Sequence, residues 1–141
     1  MTLRHLNPPG LPDWSQTFSQ VVVVEHPDFR QVLVSGQVGV DPQKRLAGDG
    51  RLEAQLDGAF KNLELALAAA RASLLDVVKL TIFIVDYQPE HAALISRAIS
   101  SRFRAGHLPA LSLIGIQALA DPQWLVEVEA TAVLQTGNAP G

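Results

Sequence analysis

The sequence predicts an α/β (α+β) sandwich in the order β-β-α-β-α-β-β, with two helices covering one face of a sheet. Three observations carry this reading. Two stretches space their apolar residues three and four apart, as a helix buried on one side does. The segments around them are β-branched or alternate with period two, and they interleave with the helices. The chain of 141 residues is 48% hydrophobic and 18% charged, enough for one compact core.

Taken in order, residues 1–17 are rich in Pro and Gly and read as an irregular arm. "FSQVVVVE", 18–25, reads as a strand, "HPDF" as a turn, and "RQVLVSGQVGV", 30–40, as a second strand paired to the first. Val32, Val34, Val38 and Val40 are expected on one face, and Leu33, Ser35, Gln37 and Gly39 on the other. "DPQKRLAGDG" is a polar loop. Residues 52–72 form a helix whose stripe is Leu52, Leu56, Phe60, Leu63, Leu67 and Ala70. "VVKLTIFIVDY", 77–87, is the third strand. Pro89 opens a second helix buried through Ile95, Ala98, Ile99 and Phe103. "ALSLIGIQAL", 110–119, is apolar on both faces and reads as a central strand. "WLVEVEATAVL", 124–134, alternates, with Val126, Val128, Ala130 and Ala132 on one face and Glu127, Glu129 and Thr131 on the other. Residues 18–134 make one domain, and 135–141 read as a flexible tail.

Two helices cover only one face of such a sheet. The opposite face collects Ser35, Gln37, Glu127 and Glu129, with Leu33, Leu111 and Leu113 added by parity. A face of that mixed character is poorly placed in water, and a ring of copies of the same chain is expected to cover it. The mean hydropathy of +0.17 points the same way.

The bulk numbers also exclude function classes. A net charge of −3 gives no basic field for nucleic acid. With no cysteine, disulfides and thiolate metal sites are ruled out. No signal core opens the chain and no uncharged apolar run reaches membrane-spanning length, so the cytoplasm is the default. None of His5, His26, His91 and His107 sits at a triad spacing from Ser112, which reads as structural. No metal-ligand spacing is present. Between Glu90 and Asp121 the chain carries Arg97, Arg102 and Arg104 and no acid, a basic helix face whose functional reading is an anion or RNA contact. Glu127 and Glu129 read either as solvated positions or as part of a site.

Several words of the sequence resemble the Rid family, the reactive intermediate deaminases also known as YjgF or endoribonuclease L-PSP proteins. They are "FSQVV" (18–22), "VSGQVGVDP" (34–42), "ASLLDVVKLTIFIVDY" (72–87), "LPALSLIGI" (108–116) and "VEVEATAV" (126–133), in the family's order. The resemblance implies a chorismate-mutase-like fold, a homotrimer, and small-molecule pockets between neighbouring subunits. It implies hydrolysis of enamines and imines to keto acids and ammonia with no metal or organic cofactor. In that chemistry water attacks an imine carbon, a carboxylate orients the water, and a guanidinium holds the substrate's own carboxylate by a bidentate pair.

By the same resemblance Glu127 is the water-positioning carboxylate, Phe18 takes the place of an aromatic that is usually tyrosine, and Ser35 and Gly36 border the site. Phe83 matches an aromatic on the third strand. Deaminating members carry Pro-Ala-Arg-Ser where this chain has Pro109-Ala110-Leu111-Ser112. Leu111 therefore stands at the arginine position, followed along the substrate-binding strand by Ser112 and Leu113. The expectation is weak or lost hydrolysis of amino-acid-derived, acidic imines and a neutral carbonyl or imine-like metabolite instead. The alternatives are a non-catalytic ligand-sensing or protein-interaction trimer and, more distantly, RNA binding through the basic helix face.

Overall fold

The computed structural model describes residues 1–136. Six strands form one mixed sheet: β1 (Thr2–Leu6), β2 (Val21–Glu25), β3 (Phe29–Gln37), β4 (Val77–Val85), β5 (Ala110–Ile116) and β6 (Val126–Gln135), in the spatial order β1-β2-β3-β6-β4-β5. Two helices, α1 (Leu52–Ala69) and α2 (His91–Ser100), lie on one face. Only β4 and β5 run parallel, and α2 supplies the crossover that a parallel pair requires. The expected fold class is observed.

The helical stripe is the half of the core that the sequence shows most directly. Leu56, Phe60, Leu63 and Leu67 of α1 are buried against Val21, Val23, Val32, Val34, Leu80, Ile82, Val126 and Val128 of the sheet. From α2 come Ile95 and Ala98, with Phe103 just beyond its end. Phe103 meets Phe60 edge-on at 6.5 Å between ring centres, where the ring quadrupoles favour a T-shape.

The structure departs from the sequence reading in several places. Thr2–Leu6, expected to be irregular, forms an edge strand on β2, where Arg4 and Glu25 pair at 2.9 Å. An edge strand that sends only its last residue, Leu6, against the core shows little burial periodicity, and Pro8, Pro9 and Gly10 dominate the composition of the arm. Second, β5 is an edge strand, bonded to β4 alone, and ends at Ile116.

Third, residues paired across a ladder share a face, so Leu111 and Leu113, opposite the buried Leu80 and Ile82, lie on the helix side of the sheet. A strand apolar on both faces carries no phase signal, which is why parity assigned them wrongly. Fourth, Gln37 is buried on the helix side opposite Val128, because the register of β3 shifts after Val34. Of the tail expected over 135–141, Gln135 still belongs to β6 and the amide of Thr136 donates to the carbonyl of Asp28 at 3.1 Å. The rest lies outside the described residues.

Helix α1 stops three residues earlier than its stripe predicts. The amide of Ala72 donates to Leu67 O and that of Arg71 to Ala68 O, both at 2.9 Å, a Schellman ending. Such an ending requires a left-handed residue, here Arg71 at φ 56. For an L-residue with a side chain this conformation costs roughly 1–2 kcal/mol. Arg71 is exposed, so its side chain has little packing to lose. Arg71→Gly should therefore raise the unfolding free energy by about 0.5–1 kcal/mol in denaturant titration. An unchanged or lower midpoint would contradict the strain at this cap.

Candidate functional site

The site begins with the register shift in β3. Val34 pairs with Ala130 and the next pairing is Gln37 with Val128, so three steps along β3 match two along β6. The extra residue is a β-bulge at Ser35–Gly36. On its other side the strand keeps its register with β2: Ser35 donates its amide to Gln20 O at 2.9 Å and its hydroxyl to Ser19 O at 2.6 Å. The segment just after Phe18 is thereby fastened to the bulge. A side chain at Gly36 would run into the Glu127 carboxylate, so glycine leaves the space in which that carboxylate lies.

Glu127 projects from β6 on the face away from the helices, opposite Phe83 of β4. It is half-buried, and among the described residues no donor hydrogen-bonds its carboxylate. Burial, and secondarily the nearby charge of Glu129, push its pKa above the ordinary glutamate value. A carboxylate in this state is a good hydrogen-bond acceptor for water and a proton acceptor with raised basicity.

Further along the same face lies a shallow depression lined by Ser35, Thr81, Glu129 and Thr131 around Lys79. Lys79 Nζ donates to Ser112 Oγ at 2.7 Å. Ser112 is thus on the outer face, facing an ammonium. Lys79 and Thr81 escaped the sequence reading; their signal was a polar residue at alternate positions of an otherwise apolar strand, in phase with Phe83.

The predicted site residues do not form one cluster. Ser35, Gly36, Phe83 and Glu127 gather around the bulge, Phe18 precedes the segment fastened to it, and Ser112 stands beside Lys79 on the same outer face. Leu111 and Leu113 lie on the opposite face, with Leu111 44% exposed at the free edge of the sheet and Leu113 packed against the core. One chain therefore does not bring Leu111 and Glu127 into one pocket. Of the basic helix face, Arg102 is engaged internally: it pairs with Asp57 at 2.5 Å and stacks over Phe60 at 4.7 Å. Among the described residues no three His, Cys, Asp or Glu side chains cluster as a metal site would need. No helix among them is long and apolar enough to cross a membrane.

A mixed sheet with two helices on one face is the fold this chain shares with solved structures of Rid proteins. The family model described as Endoribonuclease L-PSP matches residues 11–134, and the chain belongs to this Rid (YjgF/L-PSP) family. The 2-iminobutanoate/2-iminopropanoate deaminase of Rattus norvegicus is 32% identical over 116 residues, which are 82% of this chain and 79% of that protein. The Mus musculus protein of the same name is 33% identical over 116 residues, 82% of this chain and 80% of its own. Among solved structures, the Rid-family protein YyfB of Yersinia pestis, described as of unknown function, shares 36% identity at a TM-score of 0.71, covering 95% of this chain and 100% of that one. RidA of an Antarctic Psychrobacter superposes at a TM-score of 0.79 with 26% identity, covering 93% and 99%.

The raised pKa of Glu127 has a consequence for stability. The folded protein keeps this proton at pH values where the unfolded chain, near the ordinary glutamate value of about 4.3, has lost it. The Glu127 contribution to stability therefore falls as pH rises through that window. In Glu127→Gln the effect is removed, so the difference in Tm between variant and parent should move in the variant's favour as pH rises from below the glutamate range to neutrality. A difference constant with pH would refute the shift.

Proposed function

We propose that this protein hydrolyses the C=N bond of neutral imines or enamine-derived imines in a pocket completed between copies of the chain, with Glu127 orienting the water. The observation that carries this is the Glu127 carboxylate on Gly36: half-buried, unpaired, raised in pKa and open to the outer face. Water held there adds its oxygen to the imine carbon, and its proton passes to the nitrogen. The resulting carbinolamine then passes its hydroxyl proton to nitrogen as the C–N bond breaks, with that bond's electron pair leaving on nitrogen and the oxygen closing the C=O bond. Each imine and water consumed yields a carbonyl compound and ammonia. The activity named for the rat and mouse relatives, deamination of 2-iminobutanoate and 2-iminopropanoate, supports this reaction class.

A homotrimer, the assembly the family resemblance implies, answers two features of the single chain. Its outer face exposes Leu33 and Val133 beside polar groups, and its edge strand β5 leaves Leu111 and Ile114 uncovered. Leu111 cannot reach its own chain's Glu127, but a neighbour's Leu111 can close the cleft. At the position where a guanidinium would grip a carboxylate, leucine offers no donor. An acidic imine would leave its carboxylate desolvated and unpaired, a cost of roughly several kcal/mol, and each 1.4 kcal/mol is about tenfold in rate. Leu111 equally favours a second reading, a trimer that binds a neutral ligand without chemistry.

Ammonia release separates these readings. With imines generated in solution, the parent should turn over a neutral aliphatic imine at least about tenfold faster than 2-iminopropanoate. Leu111→Arg should reverse that preference, and Glu127→Gln should reduce either rate by about a hundredfold, the usual worth of a positioned base. A parent faster on 2-iminopropanoate would contradict the assignment of Leu111. A parent and a Leu111→Arg variant both inert on both imines would leave the ligand-binding reading.

A further inference from the structure

Two segments remote in sequence bring aromatic side chains together before β6, and a third adds a cation. Trp14 stacks on Phe18 with ring centres 6.2 Å apart and planes 19° from parallel. Trp124, two residues before β6 begins, meets Trp14 edge-on at 6.4 Å and 83°. Lys44 Nζ sits 3.9 Å from the centre of the Trp14 ring, a cation–π contact. Trp14 is thus engaged by Lys44, Phe18 and Trp124 together, and the stack ends in Phe18, which remains 39% exposed.

Each member is held by its own backbone anchor. The amides of Thr17 and Phe18 both donate to Trp14 O, at 2.8 and 3.0 Å, closing the turn that lays one ring on the other. The buried Gln55 grips the Trp124 loop from both sides, accepting from the Leu125 amide at 2.9 Å and donating to Gln123 O at 3.0 Å. Lys44 sits at φ 67, an unfavourable conformation for a lysine, imposed by a turn in which Asp41 accepts from the amides on either side of it. The stack is tied through the backbone to the strand that seats Glu127: Ser19, next to Phe18, accepts the hydroxyl of Ser35, and Ser35 precedes the glycine beside the Glu127 carboxylate.

We infer that Phe18, backed by Trp14 and framed by Trp124, is a stacking wall that selects neutral substrates carrying a planar aryl group beside the C=N bond. This rests on the imine-hydrolase reading of the Glu127 pocket and names the substrate class of that pocket. The one cation of the cluster, Lys44, is committed to Trp14, so the wall recognises a ring face rather than a charge. A ligand ring on Phe18 adds one more aromatic pair to a stack whose order is already in place, and binding then spends little on ordering the protein.

Two neutral, product-shaped ketones of equal carbon skeleton test this by NMR titration: acetophenone and cyclohexyl methyl ketone. The parent should bind acetophenone about fivefold more tightly, the order of one aromatic pair. Phe18→Leu should abolish the preference, whereas Phe18→Tyr, which keeps the ring, should retain it; Phe18→Met replaces the leucine variant if the latter does not fold. Equal binding of the two ketones by the parent, or a preference that survives Phe18→Leu or Phe18→Met, would overturn the wall. The underlying reading fails separately, if hydrolysis of a neutral aliphatic imine persists in Glu127→Gln. If that hydrolysis needs Glu127 while the ketones bind alike, only the aromatic selection is lost.

Discussion

The site depends on one extra residue in β3. Without the bulge at Ser35–Gly36, the strand would continue in register, a side chain would occupy the space of the Glu127 carboxylate, and Gln37 would face outward. With it, two results follow from one local irregularity. Glycine leaves room for a half-buried carboxylate, and Gln37 swings into the interior. There Gln37 donates to Gln20 Oε1 at 2.7 Å, and Gln20 in turn donates to Pro12 O at 3.1 Å. A short chain of buried amides thus ties the N-terminal segment, Phe18 included, to the strand that seats Glu127.

The chemistry proposed for this seat needs both the water-accepting carboxylate and a wall opposite it, and a single chain supplies them on different faces. β4 and β6 carry Phe83 and Glu127 outward, while β5 carries Leu111 to the helix side at an unpaired edge. The exposure of Leu111, Ile114, Leu33 and Val133 is costly for an isolated domain and ordinary for an oligomer. In the proposed assembly the apolar edge of one copy and the bulge of the next form the two walls. In that proposal the leucine selects which imines enter, and Glu127 orients the water that meets them.

The sequence made the fold class legible because the fold rests on patterns of fixed period. The stripe from Leu52 to Ala70 and the alternation of Val126 to Ala132 both survive into the buried core. Legibility failed where the period is silent. β1 sends only Leu6 against the core, β5 is apolar on both faces, and the alternation from Val32 to Val40 reads straight through the bulge as though no residue had been added. Glu127 could be singled out because the words around it match a family, although its seat on Gly36 is a tertiary contact across two strands. Lys79 and Ser112 meet across the parallel pair β4–β5, and Trp14 and Lys44 across two loops. No local spacing encodes either meeting.

Mixed assemblies test most directly that the site is shared between chains. Glu127→Gln and Leu111→Asp, each expected to be inactive on a neutral imine when assembled alone, can be unfolded together in equal amounts and refolded. If the cleft pairs Glu127 of one copy with Leu111 of the next, random mixing leaves about one site in four with both native residues, and about a quarter of the parent rate should return. Mixtures as inactive as the two separate variants would place both residues in a pocket of one chain, against the arrangement described here.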